Sequence, residues 1–94
     1  MRIDDLIWLD HIIEKLEAKH SVSPDEVNEV FRNAPRFRRG KRGNRKGEDL
    51  YYAFGQTDNG RYLFIVFIFK EPHRGLILSA RDMETDERKW YRGK

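Results

Sequence analysis

The chain has 94 residues, 38% of them hydrophobic and 37% charged, which suits one small domain over 1–94 whose core buries only part of its surface. Cysteine is absent, so a disulfide scaffold, a thiol nucleophile and a cysteine-ligated zinc site are excluded. Seven of the 19 basic residues (Arg36, Arg38, Arg39, Lys41, Arg42, Arg45 and Lys46) fall within positions 36–46 with no acid among them, so the net charge of +3 belongs to that segment rather than to the whole.

The opening MRIDDLIWLD carries acids where an export signal would be basic, and its apolar residues predict a short strand over 3–9. Asp10 stands at the N-cap position of a helix through HIIEKLEAKH, with Ile12, Ile13 and Leu16 on one stripe. Lys19 and His20 close it, cations suited to the negative end of the helix dipole. Ser23, Pro24 and Glu26 form a capping box with proline at the first helical position. The second helix buries Val27, Val30 and Phe31 and ends near Asn33 and Pro35.

Positions 36–46 read as a basic loop. Such a block repels itself and attracts phosphate or an acidic partner by counterion release, unless it is simply a solvated surface. DLYYAFG and RYLFIVFIF, joined by QTDNG, then read as an antiparallel hairpin with Asn-Gly at its tip. The second of these has no polar alternation, so it belongs at the centre of a sheet, and its apolar run is far too short for a membrane span. KEPHRG is a turn and GLILSA a strand that runs out before Arg81. A last helix starts near Asp82 or Thr85. The predicted architecture is α+β, with helices packed on one antiparallel sheet.

Few residue patterns here carry chemistry. His11, His20 and His73 lack metal-site spacing, no phosphate-cradling glycine loop opens a helix, and no nucleophile elbow is present. What remains is a set of polar residues beside apolar strands: Arg81 after LILSA, Arg61 before the central strand, Glu48 before the hairpin and His20 at a helix end. Metal-free RNA cleavage needs a base for the 2′-hydroxyl, an acid for the departing 5′-oxygen and cations for the charge that builds on phosphorus. These residue types can supply all three. Each also has a structural explanation: Arg81 in a salt bridge with Asp82, Glu84 or Glu87, His20 as a helix cap, and Tyr51, Tyr52, Phe54, Tyr62, Trp90 and Tyr91 as packing residues rather than stacking platforms for bases.

Taken together, WLDHIIEKLEAKHSVSPDEVNEVF, GEDLYYAFGQTDNGRYLFIVF and LILSARDMETDERKWY resemble the BrnT family of type II toxins, small ribonucleases of the RelE/ParE-like superfamily. The resemblance covers nearly the whole chain. It rests on the KHSVSPDEV helix junction, on G-R-Y-L at the central strand, and on SARDM followed by an E-R-K-x-Y helix. It implies a RelE-like sheet with two N-terminal helices and one C-terminal helix, a cytoplasmic endoribonuclease that arrests translation, and no metal or other cofactor. RNA, whether or not on the ribosome, is the implied substrate, and a ribbon-helix-helix antitoxin the implied partner. By position in the motifs it points to Lys19 for substrate positioning, Arg61 and Arg81 for phosphate and transition-state charge, and His20 or Glu48 for the proton. The segment 33–46 departs from the family pattern in being longer and more basic, which suits binding of RNA, the ribosome or an acidic antitoxin stretch. Two other classes fit the same fold: a non-catalytic nucleic-acid or antitoxin-binding domain, and a ParE-like gyrase inhibitor.

Overall fold

The structure, a computed structural model, describes residues 1–40 and 48–93. Among these, the order is β1 (Asp5–Ile7), α1 (Asp10–His20), α2 (Pro24–Arg32), β2 (Arg36–Arg39), β3 (Leu50–Gln56), β4 (Tyr62–Lys70), β5 (Arg74–Asp82) and α3 (Thr85–Arg92). The strands form one sheet in the order β1-β5-β4-β3-β2. The unalternating apolar strand β4 therefore lies at its centre, as its composition requires.

Two expectations about the sheet need correcting. It is mixed rather than antiparallel, because β1 pairs with β5 in parallel, Asp5 opposite Arg74 and Ile7 opposite Leu76. Residues 36–39, expected as loop, form an edge strand antiparallel to β3, with Arg36 opposite Phe54 and Arg39 opposite Tyr51. Only Phe37 of this strand faces the main core, so the apolar alternation that marks a strand is reduced to one residue among arginines.

The helices are set by local chemistry. Ser23 accepts a hydrogen bond from the Glu26 N–H while the Glu26 carboxylate accepts from the Ser23 N–H, the reciprocal capping box that starts α2. At α1 the N-cap is Leu9, not Asp10, which instead occupies the first turn and complements the helix dipole there. Ser21, in the left-handed region at φ 52°, ends α1 with its N–H on the Glu17 carbonyl. The β3–β4 turn closes on Gly60, whose φ of 86° suits the glycine of an Asn-Gly tip.

One sheet face carries Ala53, Leu63, Ile65, Phe67, Ile77 and Ala80 against Ile12, Leu16, Val22, Val27 and Val30 of the first two helices and their junction. Phe67 is fully buried with Phe31, Phe37 and Tyr51 around it, so its truncation to alanine should cost about 3–5 kcal/mol. A Cβ on Gly55 would lie 2.9 Å from a Val30 methyl, which is why α2 can settle this close to β3. The opposite face is only partly covered. There α3 packs Trp90 and Tyr91 over Phe54, Tyr62, Phe64 and Met83. No helix among the described residues is long and apolar enough to cross a membrane.

Candidate active site

Two groups of ionisable residues sit close together at one end of the sheet, and the alternation of β5 points them in different directions. The first surrounds Arg61, which the hairpin turn delivers to the start of β4. Its Nε donates to Asp82 Oδ1 at 2.6 Å and its Nη2 to Asp82 Oδ2 at 3.2 Å. Nη1 donates to the Ser21 carbonyl at 2.8 Å and to the Glu26 carboxylate at 3.1 Å, and Nη2 also reaches the His20 carbonyl at 2.9 Å. The carbonyls left without partners at the end of α1, the capping acid of α2 and the end of β5 thus share one guanidinium. Arg61 raises no free positive charge here, since two carboxylates neutralise it. The Asp82 carboxyl is held below its usual range, first by the hydrogen bond from Arg61, and the neighbouring His20 imidazole acts in the same direction. His20 is half-buried beside this cluster, and Lys19 is exposed one residue earlier.

The second group lies on the α3 face. Because the register pairs Arg36 with Phe54, Phe54 with Phe64 and Phe64 with Arg81, four side chains form a row across four strands with an arginine at each end. A parallel row runs Arg38, Tyr52, Val66, Ser79. Strand β5 continues through Asp82, past the point where the apolar run stops, because Arg81 and Asp82 still pair with Phe64 and Leu63. Arg81 is therefore within the strand rather than beyond its end. Its guanidinium lies over the Phe64 ring at 4.4 Å and grips Glu87 of α3 with two bonds of 2.8 and 2.9 Å. That fork, with the Glu84 N–H on the same carboxylate, holds the Glu87 carboxyl below its usual range.

The other expected residues separate. Glu48 precedes β3, whereas Arg61 follows it across the turn. The seven residues of β3 put about 20 Å between those sheet ends at ~3.3 Å per residue. Glu48 and the His20 cluster cannot share one reacting phosphate. Arg36 stacks on Trp90 at 3.7 Å and donates to its carbonyl at 2.7 Å, and Arg39 pairs with Asp49 at 2.6 Å. Arg38 is exposed, 5.1 Å from the Trp90 ring, and has no carboxylate partner among the described residues. Lys41, Arg42, Arg45 and Lys46 lie outside the described residues.

Sequence reading missed Glu26 and Asp82 as the partners of Arg61, although Glu26 was visible as a capping acid. It also missed the stacking of Arg36 on Trp90, which spans 54 positions and leaves no local signal. Among the described residues, no group of three or more His, Asp or Glu side chains is gathered to hold a metal ion.

The model of the family described as the ribonuclease toxin BrnT of type II toxin-antitoxin systems matches residues 8–87, and the chain belongs to that family. Among solved structures the fold is similar to the ribonuclease toxin BrnT of Brucella abortus, with a TM-score of 0.65 and 16% identity. The match covers 86% of this chain and 97% of that one, and at this identity it is a likeness of fold. No curated protein is significantly similar in sequence.

Proposed function

We propose that this protein is the toxin of a type II toxin-antitoxin pair and cuts RNA in the cytoplasm without a metal, so halting translation, until a ribbon-helix-helix antitoxin masks it. The observation that carries this reading is the family match over 8–87. The site geometry supports a division of labour. His20, the imidazole at the end of α1 beside the Arg61 cluster, would take the proton from the attacking 2′-hydroxyl. Lys19, exposed beside it, would hold the phosphate. Arg81 would supply charge to the phosphorane by exchanging Glu87 for a phosphate oxygen. Arg61 acts through others, fixing the end of α1 on which Lys19 and His20 stand.

Because both strand arginines are already ion-paired, a non-catalytic RNA-binding module of the same fold is the second reading. Induced expression without antitoxin separates the two, with growth and total RNA followed for wild type, His20→Ala and Arg81→Ala. Arrest with RNA fragmentation that disappears in a folded His20→Ala protein is the expected outcome. Normal growth and intact RNA from soluble, folded wild type would overturn the enzyme reading.

A further inference from the structure

Between α3 and the open half of the sheet lies a cleft of about 340 Å³, near the lower end of the range for small-molecule sites. Its floor and walls are aromatic: Tyr52, Phe54, Phe64 and Trp90. The rings are tilted against one another, Tyr52 meeting Phe64 at 49° and Phe54 meeting Trp90 at 58° with centroids 5.1 and 4.7 Å apart, so together they make a continuous aromatic wall along the cleft. Two charged residues of opposite sign stand at it, Arg38 from β2 and Asp86 from the first turn of α3. No ion pair joins them, and among the described residues neither has another ion-pair partner, whereas the neighbouring Glu87 is committed to Arg81. A cation and an anion held apart across an aromatic slot fit a ligand that carries an acceptor, a π-face and a donor edge. A nucleotide has all three.

We propose that this cleft takes one unstacked nucleobase of single-stranded RNA and selects guanine. The substrate class rests on the ribonuclease reading; the choice of base rests on Asp86. A carboxylate offers two adjacent acceptors, and guanine is the one standard base whose pairing edge presents two adjacent donors, N1–H and N2–H. Adenine and cytosine place a ring-nitrogen acceptor beside their single amino donor, and uracil flanks its one N–H with carbonyls, so each sets a lone pair against an oxygen of Asp86. The rings give stacking that every base shares, and Arg38 meets the phosphate, so these groups contribute affinity without preference.

Titration with GMP, AMP, CMP and UMP, followed by two-dimensional NMR of the Trp90 indole and Asp86 backbone amide, tests this without needing turnover. GMP should half-saturate those shifts at a concentration roughly tenfold below the other three, the size expected of one bidentate base contact. Asp86→Asn, which swaps one acceptor for a donor on an exposed residue, should abolish that preference and leave the rest of the spectrum in place. Tyr52→Leu should weaken all four nucleotides and keep their order. Equal responses to all four, no response, or a guanine preference that survives Asp86→Asn would each overturn the proposal. Cleavage of a defined RNA is scored in parallel. Cutting without any GMP preference rejects the cleft and leaves the enzyme standing, and a GMP preference without cutting supports the cleft and removes the enzyme.

Discussion

Arg61 and Arg38 belong to the same sheet and use the same guanidinium in opposite ways. Arg61, 27% exposed, has every edge occupied by a carboxylate or a helix-end carbonyl, and its charge is cancelled inside the molecule. Arg38, exposed on the edge strand, keeps its charge for whatever approaches the cleft. The difference shows that an arginine beside an apolar strand is not a phosphate site by virtue of its position. What decides is whether the fold has already supplied acceptors, and at the junction of α1, α2 and β5 the fold supplies four.

That contrast can be broken most forcefully at Arg61. Arg61→Ala strands Glu26, Asp82 and the carbonyls of His20 and Ser21. With Asp82 65% exposed, solvent recovers part of the loss, so about 2 kcal/mol is expected, or a fall in melting temperature of about 10 °C. Arg61→Lys should restore less than half of it, since a point charge cannot span acceptors on three elements. Calorimetry on the two variants checks both statements.

Acid should erase the same contrast. Asp82 and Glu87 have folded-state carboxyls below their ordinary range, so their pairing adds stability above about pH 4 and loses it as pH falls through the lower folded values. The melting-temperature gap between wild type and Arg61→Ala should therefore narrow steadily below about pH 4. A gap that persists unchanged at pH 2 would mean that Arg61 stabilises through its carbonyl contacts alone.

Smaller effects sharpen the comparison. Glu87→Gln weakens the hold on Arg81 and should cost about 1 kcal/mol of stability while raising RNA affinity severalfold, turning a cancelled arginine into an available one. Arg38→Ala should leave the melting temperature nearly unchanged. Its signature is in binding, where the slope of log affinity against log salt should lose about one unit.

How far these features could be read in the sequence depended on how local their causes are. The capping box at Ser23 and Glu26 lies within four residues, and the hairpin between β3 and β4 is announced by its Asn-Gly tip, so both were legible. Glu87, six residues from Arg81, was among the acids expected to pair with it. The parallel seat of β1 was not legible, because a three-residue strand carries no periodicity and its partner is distant in sequence. Strand β2 was hidden by its own charge, with three arginines around one inward phenylalanine. The approach of Glu26, Arg61 and Asp82 required three elements to be placed first. A candidate list drawn from positions next to strands could find Arg61, but could not see that its valences were already used.

The parallel pairing of β1 with β5 also constrains when the protein can become itself. Asp5 finds its partner only at Arg74, and the Asp4 N–H finds its acceptor only at His73, 2.7 Å away. As the chain leaves the ribosome, β1 must wait, unpaired, through α1, α2, β2 and the β3–β4 hairpin. A product interrupted before β5 would also lack Asp82, leaving the Arg61 clamp half-built. Synthesis therefore works as a timer in which β1 is made well before the strand that closes on it.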